Sequence, residues 1–191
     1  MEKIIFLDFD GVLNSNDWYV RRQDKYDMDA VENNYPLSEF DPDAVNRLNT
    51  IITLTGAKVV VSSSWRHGRT IEELQTILDS VSFIGEVIDK TLFFGGIEGY
   101  TVPRGCEIEA WLDKKGFQRI NWSKEEQQKY IDKSPIKNYI ILDDDSDMLY
   151  NQKEHFVHTG WKYGLDDTAM HKSIDILNST LIDLYYGNNN V

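Results

Sequence analysis

Lys3-Ile4-Ile5-Phe6-Leu7-Asp8-Phe9-Asp10-Gly11-Val12-Leu13-Asn14 is the stretch whose reading decides the fold. Four apolar residues run unbroken from Ile4 to Leu7, and the chain then drops into Asp8-Phe9-Asp10-Gly11. An unbroken apolar run, rather than an alternating one, suits a strand covered on both faces of a parallel sheet. In open α/β sheets the chemistry sits just beyond the carboxyl ends of the strands. This strand therefore delivers two carboxylates to that place, and Gly11 allows a sharp turn directly afterwards. Like charges so close are costly unless they share a cation or a proton. The plain alternative is a pair of acids capping a turn.

The same pattern returns further on. Asp41 reads as an N-cap, Pro42 as the first helical residue and Gly56 as the stop, with Val45, Leu48, Ile52 and Thr55 on one face. That helix crosses over to a strand at Lys58–Val61, which makes a βαβ unit. The strand ends in Ser62-Ser63-Ser64-Trp65-Arg66. Hydroxyls and N–H groups at such a strand end can hold phosphate oxygens. Arg66, His67 and Arg69 follow closely, and at least one of them, Arg66 first, is expected to meet a distal group of an anionic substrate. Thr70-Ile71-Glu72-Glu73 is a capping box for a helix to about Asp79, and Phe83–Ile88 reads as a third strand.

Pro103-Arg104-Gly105 opens another helix, with Ile108, Trp111, Leu112 and Lys115 on one face and Gly116 as its stop. A cation at a helix start is mildly disfavoured by the helix dipole, so a purely structural Arg104 is unattractive. Ser123-Lys124-Glu125-Glu126 caps a short charged helix to about Asp132. Tyr139–Leu142 is again a buried apolar strand, and it ends in Asp143-Asp144-Asp145-Ser146-Asp147. Acids there supply hard oxygen ligands, which suit Mg²⁺. The stretch 155–158 reads as a last strand. Gly164-Leu165-Asp166-Asp167 leads into a helix carrying Ile174, Ile176, Leu177, Leu181 and Leu184. The histidines are not at metal-binding spacing.

The whole sequence of 191 residues suits one domain spanning 1–191, an α/β fold of three layers around a parallel sheet. Residues 15–40 and 91–103 read as small insertions near the active site. Each is too short for a cap domain with its own core. An open site is therefore expected, partly walled by Trp18, Tyr19 and Phe93-Phe94. A net charge of −12 repels polyanions, so no extended nucleic-acid-binding surface is expected. The single cysteine, Cys106, excludes intrachain disulfides. No apolar run is long enough for a membrane span, and no leader-like segment opens the chain, so a cytoplasmic protein is expected. Residues 187–190 read as a frayed end.

These motifs resemble, in order, those of the haloacid dehalogenase (HAD) superfamily. The resemblance is closest to the HAD domain of Swiss Army Knife RNA-repair proteins. It is carried by Asp8 to Asn14, Ser62 to Arg66, Arg104-Gly105, Glu107-Ile108, Ala110 to Leu112, Ile141 to Asp145 and Gly164-Leu165. It implies a Mg²⁺-dependent phosphatase for phosphomonoesters, working through an aspartyl-phosphate. Substrates would be a phosphorylated small molecule or the phosphate at a nucleotide or oligonucleotide end. Asp8 would be the nucleophile, and Asp10 the general acid/base, with its main-chain carbonyl on the metal. Ser62, or Ser63 if the strand runs one residue longer, would bind the phosphate, and Arg104 would neutralise charge. Asp143 would ligate the metal directly, and Asp144 or Asp147 through water. A phosphotransferase would use the same residues. Two non-enzymatic alternatives are a receiver-type module, with Asp89 as the sole plausible acceptor on a later strand, and a HAD-like binding protein without turnover. Retention of both Asp8 and Asp10 speaks against the latter.

Overall fold

The computed structural model describes residues 2–25, 39–95, 102–117, 133–180 and 184. Five strands form one sheet: β1 (Glu2–Leu7), β2 (Lys58–Val61), β3 (Val87–Lys90), β4 (Ile136–Asp143) and β5 (Phe156–His158). Their order is β3-β2-β1-β4-β5 and every pairing is parallel. The helices are α1 (Asn16–Lys25), α2 (Pro42–Thr55), α3 (Ile71–Ser80), α4 (Arg104–Lys114) and α5 (Asp167–Asn178).

The apolar run of β1 is explained by its central place. Ile5 and Leu7 join one core with Leu48 and Ile51 of α2, Leu74 and Leu78 of α3, and Ile176 and Leu177 of α5. Ile4 and Phe6 face the opposite way, into a core with Ile108, Trp111 and Leu112 of α4 and Tyr139 and Ile141 of β4. Successive side chains point to opposite faces, so a strand covered twice is apolar at every position. This gives the three layers expected, with β1 between the strand ending near Ser62 and the one ending at Asp143.

The helix punctuation holds. Asp41 accepts the Asp43 N–H at 3.0 Å, Pro42 starts α2, and Gly56 closes it in the left-handed region. Thr70 and Glu73 complete the capping box of α3. Ile52, however, is only partly buried, and Ala44 and Ile51 share the core face instead.

Other boundaries shift. The third strand begins at Val87, not Phe83, because Ser82 turns through positive φ and sends Phe83 into the core ahead of the first ladder pair, Val59 with Val87. β4 starts earlier, at Ile136, and α5 ends at Asn178, with Ser179 as its C-cap. Trp18 does not wall an open site: it is buried on α1. Residues 91–95 have no regular structure. The helix expected at 123–132, the frayed end and Leu181 lie outside the described residues, as do 26–38 and 96–101 of the two insertions. Among the described residues, no helix is long and apolar enough to cross a membrane.

Candidate active site

Strand register brings the distant motifs to one edge. Leu7 pairs with Val61 on one side and with Leu142 on the other, so Asp8, Ser62 and Asp143 fall side by side. The ladder continues past the strands: Ser62 N–H donates to Leu7 O at 2.9 Å and Asp8 N–H to Leu142 O at 3.0 Å. Asp8 is 5% exposed, while Asp143 and Ser62 are sealed from solvent.

Asp8, Asp143 and Asp144 each offer a carboxylate oxygen within 4.8 Å of the others. Burial is the main force on all three, and it pushes each pKa up. Asp143 reaches about 8, with the Asp8 charge adding to the shift. Asp8 is raised by burial despite opposition from Arg104, the Ser63 hydroxyl and the Phe9 N–H. Asp144 is raised by burial and then by Asp145 and Asp8.

Arg104 is the cation set against this cluster. From the first turn of α4 its guanidinium lies 3.2 Å from Asp8 Oδ2 and 3.2 Å from Asp143 Oδ2, and it also donates to Ser62 O. The dipole penalty for a cation at that helix start is met by Asp147, whose Oδ2 accepts the Arg104 main-chain N–H at 2.8 Å. Asp147 is thus not part of the carboxylate group formed by Asp8, Asp143 and Asp144. Gly105 allows the close approach that seats the helix: a Cβ there would meet the backbone of Met148 and Leu149 and the Gln152 side chain.

The triad fits a hard divalent cation. It offers three carboxylate oxygens, and Asp143 Oδ2 is buried at ion-pair distance from Arg104 yet without a hydrogen bond among the described residues. Gly11 keeps the space clear, since its φ is +68° and a side chain there would overlap the Asp144 carboxylate. The Ser62 hydroxyl is buried and has no hydrogen-bond partner among the described residues, whereas Ser63 Oγ caps the turn at Trp65 N–H and bonds Asp8. Asp10 is exposed, and its two oxygens accept hydrogen bonds from Trp65 and Asn14.

Arg66 is 4% exposed and ion-paired with buried Glu107, and it also lines a pocket beside Arg104. Its other N–H groups donate to the carbonyls of Ser62 and Ser63 at 2.7 Å, Thr91 at 3.2 Å and Leu92 at 3.3 Å. Glu107 also accepts the Phe94 N–H at 3.0 Å. This clasp ties the loop after β2, the segment after β3 and helix α4 together. No sequence signal marked Glu107 as its partner, since it sits on a helix dominated by apolar spacing. Arg69 is likewise occupied, donating to Trp65 O at 2.8 Å. Arg21 and Arg22 pair with Asp17, Asp41 and Glu39.

Beside Arg104 opens a pocket of about 250 Å³, walled by Ser64, His67, Phe93, Phe94 and Val102. The Tyr19 hydroxyl donates to Glu39 at 3.3 Å and lies close enough to Asp10 to feel its charge. Asp89, the receiver-type acceptor, is held within β3 by Trp111 Nε1–H at 3.0 Å and Lys115 at 3.3 Å, which removes it from the cluster.

A family model described as the HAD domain in Swiss Army Knife RNA repair proteins matches residues 4–170. The chain belongs to this family. No curated protein and no solved structure matches it. The matched span of this HAD domain includes every residue of the carboxylate cluster and Arg104.

Two outcomes follow from the buried charges. A carboxyl whose folded pKa is raised stabilises the fold fully below the ordinary carboxylate range, and that contribution is lost as pH rises towards about 8. Added Mg²⁺ should therefore raise Tm more at about pH 8 than at about pH 5, where protons compete for the same oxygens. Differential scanning fluorimetry at the two pH values checks this. Arg66→Leu, which leaves Glu107 buried and uncompensated, should cost about 3–5 kcal/mol in urea unfolding.

Proposed function

We propose that this chain is a Mg²⁺-dependent phosphatase that hydrolyses phosphomonoesters through an aspartyl-phosphate on Asp8. The observation that carries the reading is the meeting of Asp8, Asp143 and Asp144 beside Arg104 at the carboxyl edge of the sheet. Asp8, Asp143, Asp144 and the main-chain carbonyl of Asp10 would hold Mg²⁺. The ion would screen the carboxylates from the incoming phosphate and withdraw charge from its oxygens.

In the first step a carboxylate oxygen of Asp8 attacks phosphorus. The bond to the ester oxygen breaks, and Asp10 gives its proton to that oxygen, releasing the alcohol. In the second step Asp10, now a carboxylate, takes a proton from water as the water oxygen bonds to phosphorus. The bond to Asp8 breaks and inorganic phosphate leaves. The Ser62 hydroxyl and the Arg104 guanidinium stabilise the phosphoryl oxygens in both steps. Ser62 is favoured over Ser63 because, among the described residues, its hydroxyl has no partner. The chain acts as one domain.

For the substrate we propose the phosphate at the end of a nucleotide or short RNA. The family's association with RNA repair supports this. So does the pocket beside Arg104, where the His67 and Phe93 rings lie 4.0 Å apart and Phe93 is 61% exposed. Exposed rings beside a phosphate site suit a base, and stacking contributes about 1–3 kcal/mol per base.

Asp8→Asn should lower kcat/KM at least ~10³-fold, about 4 kcal/mol of barrier, with the fold intact. Activity that survives would assign the nucleophile elsewhere. A dinucleotide phosphorylated at one end should exceed a small sugar phosphate in kcat/KM by ~10-fold or more, and Phe93→Ala should remove most of that preference. A preference for the sugar phosphate would contradict the substrate reading.

A further inference from the structure

Asp10 is gripped from two sides by groups with no part in the steps above. The indole Nε1–H of Trp65 donates to its Oδ2 at 3.0 Å, and the side-chain amide of Asn14 donates to its Oδ1 at 2.9 Å. Both donors are themselves fixed. Asn14 is buried, and its Oδ1 accepts the Gly11 N–H at 2.9 Å, so its amide cannot flip without losing that bond. The Trp65 ring stands edge-on to Phe9 at 5.6 Å and lies 5.2 Å from Phe40, with the Arg69 guanidinium over it at 5.6 Å. Ser63 Oγ accepts the Trp65 main-chain N–H, which holds the short turn that carries the indole.

The chemistry of the two donors matters as much as their placement. An exposed aspartate on a turn would otherwise exchange rotamers freely. Two N–H groups on different oxygens fix both the direction of the carboxyl group and the rotation of its plane. Indole N–H and amide NH₂ groups donate and do not accept. Neither can therefore take the proton that Asp10 is to deliver. Each oxygen of Asp10 retains a further lone pair, so one can carry the acid proton while both anchors stay in place.

We propose that Trp65 and Asn14 are positioning residues that hold Asp10 in the orientation that protonates the leaving oxygen. This rests on the reading of Asp10 as the general acid. The indole arrives from the turn after β2 and the amide from the turn after β1. The clamp therefore makes the acid's aim depend on the same two loops that bring Asp8 and Ser62 together.

The test is the dependence of the loss on the leaving group. p-Nitrophenyl phosphate releases a stabilised phenolate that needs no proton, whereas an alkyl phosphate releases an alkoxide that does. kcat/KM is the quantity to follow, since it reports the step in which the ester bond breaks. Trp65→Phe removes the indole N–H. Asn14→Asp keeps the acceptor for Gly11 and replaces the donor by an oxygen that repels Asp10.

In both variants the loss on the alkyl ester should exceed the loss on p-nitrophenyl phosphate by at least ~10-fold, a part of what general-acid catalysis contributes. In an Asp10→Asn background the same changes should leave the ratio of the two esters unaltered, because there is no acid left to aim. Melting curves separate a folding defect from this effect. If Trp65→Phe does not fold, Asn14→Asp alone decides.

Equal losses on both esters in a folded variant, or a ratio that shifts further in the Asp10→Asn background, would overturn the clamp and leave the phosphatase reading standing. A wild-type protein inactive on every ester would overturn the phosphatase reading, and the clamp with it.

Discussion

Three carboxylates facing one guanidinium are the constraint on which the rest of this structure depends. Asp8, Asp143 and Asp144 meet at the end of two adjacent parallel strands, and Arg104 reaches in to form ion pairs with Asp8 and Asp143. Burial removes the water that would otherwise screen them, so their mutual repulsion is felt strongly. Burial first, and the Asp8 charge after it, push the Asp143 carboxyl up to about 8, so a proton there offsets part of the cost. A divalent cation would relieve it more fully, and a phosphate would then find a site with positive charge to meet it. The cluster is a poor choice for stability and a sound one for chemistry that needs a cation, a nucleophile and an anion within a few ångströms.

The surrounding elements hold this arrangement in place. The register of β1 with β2 and β4 sets Asp8 beside Ser62 and Asp143. Arg104 comes from a different element, so α4 must be seated independently. Asp147 does that at its N-terminus, and the buried Arg66–Glu107 pair does it one turn further on. Replacing such a buried pair by apolar residues would be about neutral for stability. The pair is suited instead to fixing loops, because one guanidinium satisfies four main-chain carbonyls in the two segments that follow β2 and β3.

Much of this is legible in the residues. The run Ile4–Leu7 and the acids after it mark the central strand, because a two-sided core forbids polar positions and the turn beyond it permits them. Asp41, Pro42, Gly56 and the Thr70–Glu73 box mark helix ends through local hydrogen bonds, which depend on neighbours in sequence alone. Contacts between distant segments are what sequence pattern cannot supply. Arg66 looks like a surface cation until Glu107, on another element, is seen beside it. Trp18 looks like part of a rim until its helix is packed. Trp65 and Asn14 carry no charge, and nothing in their spacing connects them with Asp10. Ser82 hid the start of β3, since an apolar run shows no break where a single serine takes positive φ.

The central claim is that Asp8 becomes covalently phosphorylated. Rapid acid quench during turnover, followed by borohydride reduction, converts an aspartyl-phosphate to homoserine, which peptide mass spectrometry can locate. The account predicts homoserine at position 8 of the wild-type chain and none in Asp8→Asn. Homoserine at another acid, Asp89 included, or steady turnover with no modified residue under conditions that trap a known acyl phosphate, would contradict it.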